Sequence, residues 1–162
     1  MSCDKTKLNV GSGKTYLPDY WNLEINRRFQ ADEYADYRTT DYPNESFTDI
    51  LCMDTLDHVS FIEAKQALQK FYRWLKPNGT LRIHTPNLRT LAAVLSVTDN
   101  EEALMWLYGT TGEGSTNYEN NFIRWAYSKE SLSKLLQAQG FQIISANEDC
   151  KGFGLAVVAI KR

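Results

Sequence analysis

The chain has three cysteines, Cys3, Cys52 and Cys150, odd in number, far apart and without a Cys-x-x-Cys pair. That pattern supports neither a disulfide framework nor a zinc site, and no metal is expected. Long apolar runs are also missing. No segment approaches the roughly 18 apolar residues of a membrane span. The opening Met1-Ser2-Cys3-Asp4-Lys5 carries no apolar export-signal core. Reduced thiols, a soluble chain and a cytoplasmic location are the expectation. Charge of one sign is lacking too: 18 Lys and Arg against 20 Asp and Glu leave a net charge of −2. Nothing in that balance draws the chain toward nucleic acid or an anionic membrane. There is no internal repeat, linker or low-complexity tract.

What is present suits one globular domain spanning residues 1–162. Hydrophobic residues make up 43% and aromatics 12%, enough for a substantial core. Short apolar runs at 7–10, 22–25 and 33–36 read as strands, and Phe47 to Met53 as a buried fourth. Residues 60–75 have a helical period, with Ile62, Ala64, Leu68, Phe71, Tyr72 and Leu75 on one stripe. Ser60 and Glu63 form a capping-box pattern at its start, and Lys76-Pro77-Asn78-Gly79 ends it. A strand at Thr80 to His84 and helices at Leu88 to about Val97 and Glu101 to Tyr108 follow. After a Gly/Thr/Ser/Asn-rich loop at 109–121, Ser128 and Ser131 open another helix. Its inward residues are Leu132, Leu135, Leu136 and Ala138, and Gly140 caps it. Phe141 to Ala146 and Leu155 to Ile160 close the chain as an antiparallel hairpin. The alternation predicts an α/β, Rossmann-like sheet of about seven strands, mostly parallel.

Within that frame, Leu8-Asn9-Val10-Gly11-Ser12-Gly13 runs a strand into a Gly-x-Gly turn, and a second strand ends at Glu24. Glycines there let backbone approach a nucleoside, and a carboxylate suits a ribose diol. The spacing is short for a dinucleotide fold, and the third glycine of that fingerprint is missing. A phosphate loop is disfavoured as well: Leu8 stands where its first glycine would be, and Pro18 interrupts the helix it needs.

Four stretches in this order resemble the class I S-adenosylmethionine-dependent methyltransferases, and more narrowly their small bacterial members. They are Leu8 to Gly13, Asp36 after the third strand, Phe47-Thr48-Asp49-Ile50 through Leu56-Asp57-His58, and Trp74-Leu75-Lys76-Pro77-Asn78-Gly79-Thr80-Leu81. The resemblance runs from about Lys7 to the C-terminus and implies S-adenosyl-L-methionine as cofactor, with S-adenosyl-L-homocysteine as product. It places Gly11, Ser12 and Gly13 under the methionine moiety, with their amides near its carboxylate, and Val10 and Ile25 beside the cofactor. It gives Glu24 the ribose hydroxyls, Asp36 the adenine amino group and Tyr37 the ring. Cys52, Met53 and Asp54 would line the cavity around the methyl group.

Two departures stand out. Residues 14–20 leave no room for the usual first crossover helix, so one sheet face is under-covered; Leu17, Tyr20 and Trp21, or a second subunit in a homodimer, would fill it. Ile123 also stands where relatives often carry a His before the Arg124-Trp125 pair.

For catalysis, Asp54 and His58 are the candidate bases. Asp57 and His58 also read as a pair that orients the start of the next helix. His84 reads as a strand-end hydrogen-bonding residue, and Cys52 as a small buried apolar one. The loop-rich 99–127 segment is expected to be a substrate lid. With no basic cluster there, a small-molecule acceptor is expected rather than nucleic acid. The shortened first motif leaves open a catalytically inactive cofactor-binding or partner-binding module.

Overall fold

The computed structural model describes residues 5–109, 122–149 and 152–162. The 109–121 loop lies almost wholly outside these residues. Seven strands form one sheet in the order β3-β2-β1-β4-β5-β7-β6. They are β1 (Lys7–Val10), β2 (Trp21–Glu24), β3 (Glu33–Tyr34), β4 (Phe47–Met53), β5 (Leu75–Pro86), β6 (Phe141–Glu148) and β7 (Gly154–Lys161). The pairs from β3 to β5 are parallel, whereas β7 runs antiparallel to both β5 and β6. The chain therefore has the expected mixed α/β sheet with a terminal hairpin.

Among the described residues, four α-helices join the strands: α1 (Phe61–Trp74), α2 (Leu88–Leu95), α3 (Glu101–Tyr108) and α4 (Lys129–Ala138), with a single 3-10 turn at Leu56–His58. The capping box at α1 is present, with Ser60 and Glu63 bonding each other's backbone. Ser128 and Ser131 do the same at α4. Ala64, Ala67, Leu68, Phe71 and Trp74 of α1 and Leu132, Leu135 and Leu136 of α4 are buried in one cluster with alternate strand residues, among them Leu8, Val10, Ile50, Leu81 and Val157. Each fully buried large side chain there contributes about 1.5–3 kcal/mol. Two residues of the expected inward stripes face water instead: Ile62 is 68% exposed, and Ala138 is exposed at the end of α4. Ile62, two positions before Ala64, falls on the opposite face of α1 with Lys65, Gln66, Gln69 and Arg73, all exposed. β5 is also longer than expected, because the chain pairs with Phe47 from Leu75 onward, through a left-handed Asn78.

No helix joins β1 to β2. Residues 11–20 cross as turns, held by polar side chains. Strand alternation sends Leu8, Val10 and Leu23 into the core, and Asn9, Asn22 and Glu24 to the opposite side. Asn22, fully buried, accepts from Asn9 Nδ2 (3.1 Å) and Leu17 N (3.0 Å) and donates to the Leu17 and Tyr20 carbonyls (2.9 and 2.8 Å). Asn9 Nδ2 also donates to Thr15 O at 2.9 Å. Asp32 closes the network, accepting from Asn22 N (2.8 Å), Tyr16 Oη (3.0 Å) and Lys5 Nζ (3.1 Å). Burial acts to raise the Asp32 carboxyl pKa, but these donors outweigh it and hold it down at about 2. Buried amides and carboxylates thus do by hydrogen bonding what an apolar helix face does elsewhere. Of the residues expected to cover this side, Tyr20 reaches Asp49 Oδ2 at 2.6 Å. Trp21 instead packs on the main core and donates to Glu33 Oε2 at 2.8 Å.

Candidate functional site

A cavity of about 380 Å³ opens at the carboxyl ends of β1, β2 and β4, where ligands of open α/β sheets bind. Its floor is the turn after β1, with Gly11, Gly13 and Lys14. Leu23, Glu24 and Ile25 form one wall; Phe29, Ala35, Asp36, Tyr37 and Arg38 form the next. Asp54, Thr55, His58, Val59 and Arg124 face them.

The glycines are there for backbone reasons. Gly11 has φ +64° and lies against the Thr55 side chain, so a Cβ would collide with it. Gly13 has φ +52° and open space where its Cβ would be. All three amides of the turn are engaged within the protein. Gly11 N and Ser12 N donate to Leu23 O (2.8 and 3.1 Å), and Gly13 N donates to Glu24 Oε2 (2.7 Å). The turn is thereby fixed against β2, and the cation nearest the cavity floor is Lys14 rather than a set of amides. Neither Lys14 nor Arg124 forms an ion pair among the described residues.

Glu24 is 5% exposed at the end of β2. Its Oε1 accepts from Asn26 N at 2.8 Å, which with Gly13 N fixes both oxygens. Asp36 also lines the cavity, but Arg38 grips it through Nε (3.1 and 2.9 Å) and a terminal nitrogen (2.7 Å). Burial acts to raise the Asp36 pKa; the guanidinium outweighs it and holds the carboxyl below its usual range. Tyr37 is buried between cavity and core, its ring 6.1 Å from that of Phe71.

At the far wall, His58 Nδ1 lies 3.1 Å from Phe122 O. A carbonyl only accepts, so Nδ1 carries the proton and Nε2 faces the Asp57 carboxyl 3.7 Å away. Asp57 is 1% exposed, and neither oxygen has a hydrogen-bond partner among the described residues. Burial raises its pKa, with His58 opposing. The backbone N–H groups of Arg124 and Trp125 donate to Asp57 O (2.8 and 3.1 Å), which anchors that strand of chain to the wall.

Of the residues expected at the cofactor, Gly11, Gly13, Glu24, Ile25, Asp36, Tyr37 and Asp54 line the cavity. Val10, Ser12, Cys52 and Met53 do not. The strand period of two is the reason: Val10 and Cys52 point into the core, and burial pushes the Cys52 thiol pKa up. Met53 is exposed on the other side, and the Ser12 side chain is buried. Sequence reasoning missed Lys14, Phe29, Arg38, Thr55 and Arg124 as lining residues. Lys14 and Arg124 stood inside stretches already singled out, in Gly13-Lys14 and Arg124-Trp125; Phe29 and Arg38 carried no signal.

A methyltransferase-domain family model matches residues 8–146, most of the chain. This chain belongs to the class I S-adenosylmethionine-dependent methyltransferases. Solved relatives share the fold at low identity. An S-adenosylmethionine-dependent methyltransferase from Mesorhizobium loti superposes with TM-score 0.67 at 13% identity, over 96% of this chain and 90% of that one. The 1,6-didemethyltoxoflavin-N1-methyltransferase of Burkholderia thailandensis, solved with its acceptor and S-adenosylhomocysteine bound, superposes with TM-score 0.63 at 13% identity, over 96% and 70%. In sequence, the phosphoethanolamine N-methyltransferase of Plasmodium falciparum is 39% identical over 51 residues, 32% of this chain. The chain spans only 19% of the length of that relative. The methyltransferase cavity suits a cofactor that joins a ribose, an adenine and an amino acid: Glu24 offers a fixed carboxylate, Ile25 and Phe29 apolar wall, and Lys14 a cation.

Among the described residues no helix is long and apolar enough to cross a membrane, and no cluster of metal-binding side chains occurs.

Proposed function

We propose that this enzyme methylates a small molecule at a nitrogen, with Glu24 holding the cofactor ribose and Asp54 and His58 facing the acceptor. The observation that carries the reading is the buried Glu24 carboxylate. It is fixed by two amides on the wall of a cavity whose opposite side presents an acid and an imidazole. When bound, S-adenosylmethionine supplies a methyl group already activated by the sulfonium charge. The protein's part is then to bind, orient and manage charge.

Glu24 accepts the ribose hydroxyls, and the Gly11–Gly13 turn lets the methionine moiety lie against backbone. Lys14 pairs with its carboxylate. Ile25 and Phe29 flank the adenine, and Asp36, held by Arg38, meets its amino edge. At the other end Asp54 places negative charge where a methylated nitrogen becomes cationic. In its neutral form His58 has Nε2 as its acceptor, and a proton taken there from an ammonium acceptor would be held against the Asp57 carboxyl 3.7 Å away. Two relatives named for N-methylation support the choice of nitrogen.

Calorimetry with S-adenosylhomocysteine tests the cofactor half. At a hundredfold its Kd the ligand should stabilise the protein by about 2.7 kcal/mol; no heat and no rise in Tm would overturn it. Turnover on a panel of small amines, read by S-adenosylhomocysteine release, tests the acceptor half. Methylation of oxygen acceptors alone would contradict it.

A further inference from the structure

A second polar cluster lies beside the cavity. His84, near the end of β5, has its Nδ1 2.6 Å from Asp54 Oδ1 and its Nε2 3.2 Å from Asp149 Oδ2. An ionised carboxylate only accepts, so both ring nitrogens must donate, and the ring is an imidazolium. Four features are shaped around it. Asp54 follows β4 with a left-handed backbone, φ +47°, rare for a residue other than glycine. Its amide donates to His84 O at 3.0 Å, tying that backbone to β5. Asp149, in the turn between β6 and β7, is held by Gly152 N at 2.7 Å through its other oxygen. At Gly154, where β7 begins, a Cβ would collide with His84 Nε2 and Asp149 Oδ2, so only glycine fits. The Trp106 ring of α3 sits edge-on to the imidazole, 6.1 Å between centroids.

The His84 side chain is 12% exposed, whereas that of Asp54 is 56% exposed and lines the cavity. His84 does not line it. Among the described residues no group takes the other Asp54 oxygen.

We propose that His84 is a positioning residue: an imidazolium clamped between Asp54 and Asp149 that fixes the Asp54 carboxylate on the cavity wall and ties Asp149 to it. His84 never touches the ligand; it sets which oxygen of Asp54 does. The part that assigns Asp54 a ligand rests on the methyltransferase reading, and the charge state of His84 does not. The titratable groups acting on the ring are Asp54, Asp149 and, more remotely, Asp57. The Asp54 hydrogen bond raises the His84 pKa above 6.5, burial opposes it, and Asp149 adds to the rise.

Nitrogen-detected NMR of the imidazoles decides the first part. The chain has only two histidines, so His58→Gln leaves one ring to follow. Both His84 nitrogens should be protonated below a midpoint that lies above the ordinary 6.5. Asp149→Asn should lower the midpoint and Asp54→Asn lower it further. A midpoint at or below 6.5, or one that neither substitution moves, would overturn the clamp. The second part is a double-mutant cycle on S-adenosylhomocysteine affinity, because Asp54 stands on the wall where the sulfur end of the cofactor would meet the acceptor. Asp54→Asn and His84→Gln should each weaken binding about fivefold, and the double variant no more than the stronger single one. Independent, multiplying effects would overturn the positioning role. If the unaltered protein binds no S-adenosylhomocysteine, the cofactor reading fails, while the NMR result still decides the clamp.

Discussion

Between β4 and β5 the chain uses α1, which buries Ala64, Ala67, Leu68, Phe71 and Trp74 against the sheet. Between β1 and β2 it uses residues 11–20, with no helix and with Asn9, Asn22 and Asp32 as the organising groups. The first connection is held by apolar area, which is non-directional and tolerant of small shifts. The second is held by directional bonds in a low-dielectric interior, which are strong only when every partner is present. The difference follows from where each lies. α1 packs on the core, whereas the β1–β2 connection is the cavity floor. A short polar loop lets Gly11 and Gly13 lie flat on β2 and brings Lys14 beside Glu24.

The comparison breaks most visibly under truncation. Phe71→Ala should remove about 3–5 kcal/mol of stability, measured by urea unfolding, while the folded fraction keeps its affinity for S-adenosylhomocysteine. Asn22→Ala should lose less stability, about 2–3 kcal/mol, as buried partners go unsatisfied, but should weaken S-adenosylhomocysteine binding at least tenfold as the floor loosens. If the two variants shifted stability and affinity in the same proportion, the division between core and floor would be wrong.

Acid sharpens the same contrast. Asp32 has its pKa depressed from 3.8 to about 2 in the folded chain. Its contribution is therefore fully present above pH ~4 and is lost as pH falls toward 2, an expected loss of about 2 kcal/mol. Asp32→Asn should flatten that part of the stability curve; an unchanged slope would show that the network does not depend on this charge. Smallest of all, Ile62→Ser should change stability by less than about 0.5 kcal/mol, because its side chain faces water on the face of α1 opposite the buried stripe.

Much of this was legible in the sequence. The period of α1, the Ser60–Glu63 cap, the Gly-x-Gly turn and the closing hairpin each reflect local rules that the fold obeys. Glu24 was legible because strand, glycine turn and acid stand in a fixed order. The network of Asn9, Asn22 and Asp32 was not: buried asparagines look like surface residues until their partners, up to 27 positions away in the case of Lys5 and Asp32, are brought together. Alternation along β4 also went unused; it sends Cys52 into the core and leaves Asp54, past the strand end, to face the cavity. His84 was read as a strand-end hydrogen-bonding residue, and so it is. What no local pattern reveals is that Asp149, 65 positions later, completes a second bond to its ring.

The central claim is that a floor without a helix still presents Glu24 to a ribose. Titration of Glu24→Ala with S-adenosylhomocysteine, beside the unaltered protein, tests it most directly. Glu24→Ala should lose about a hundredfold in affinity, the scale of a charge-assisted pair of hydrogen bonds at about 1.5–3 kcal/mol. Equal affinity in the two proteins would contradict it.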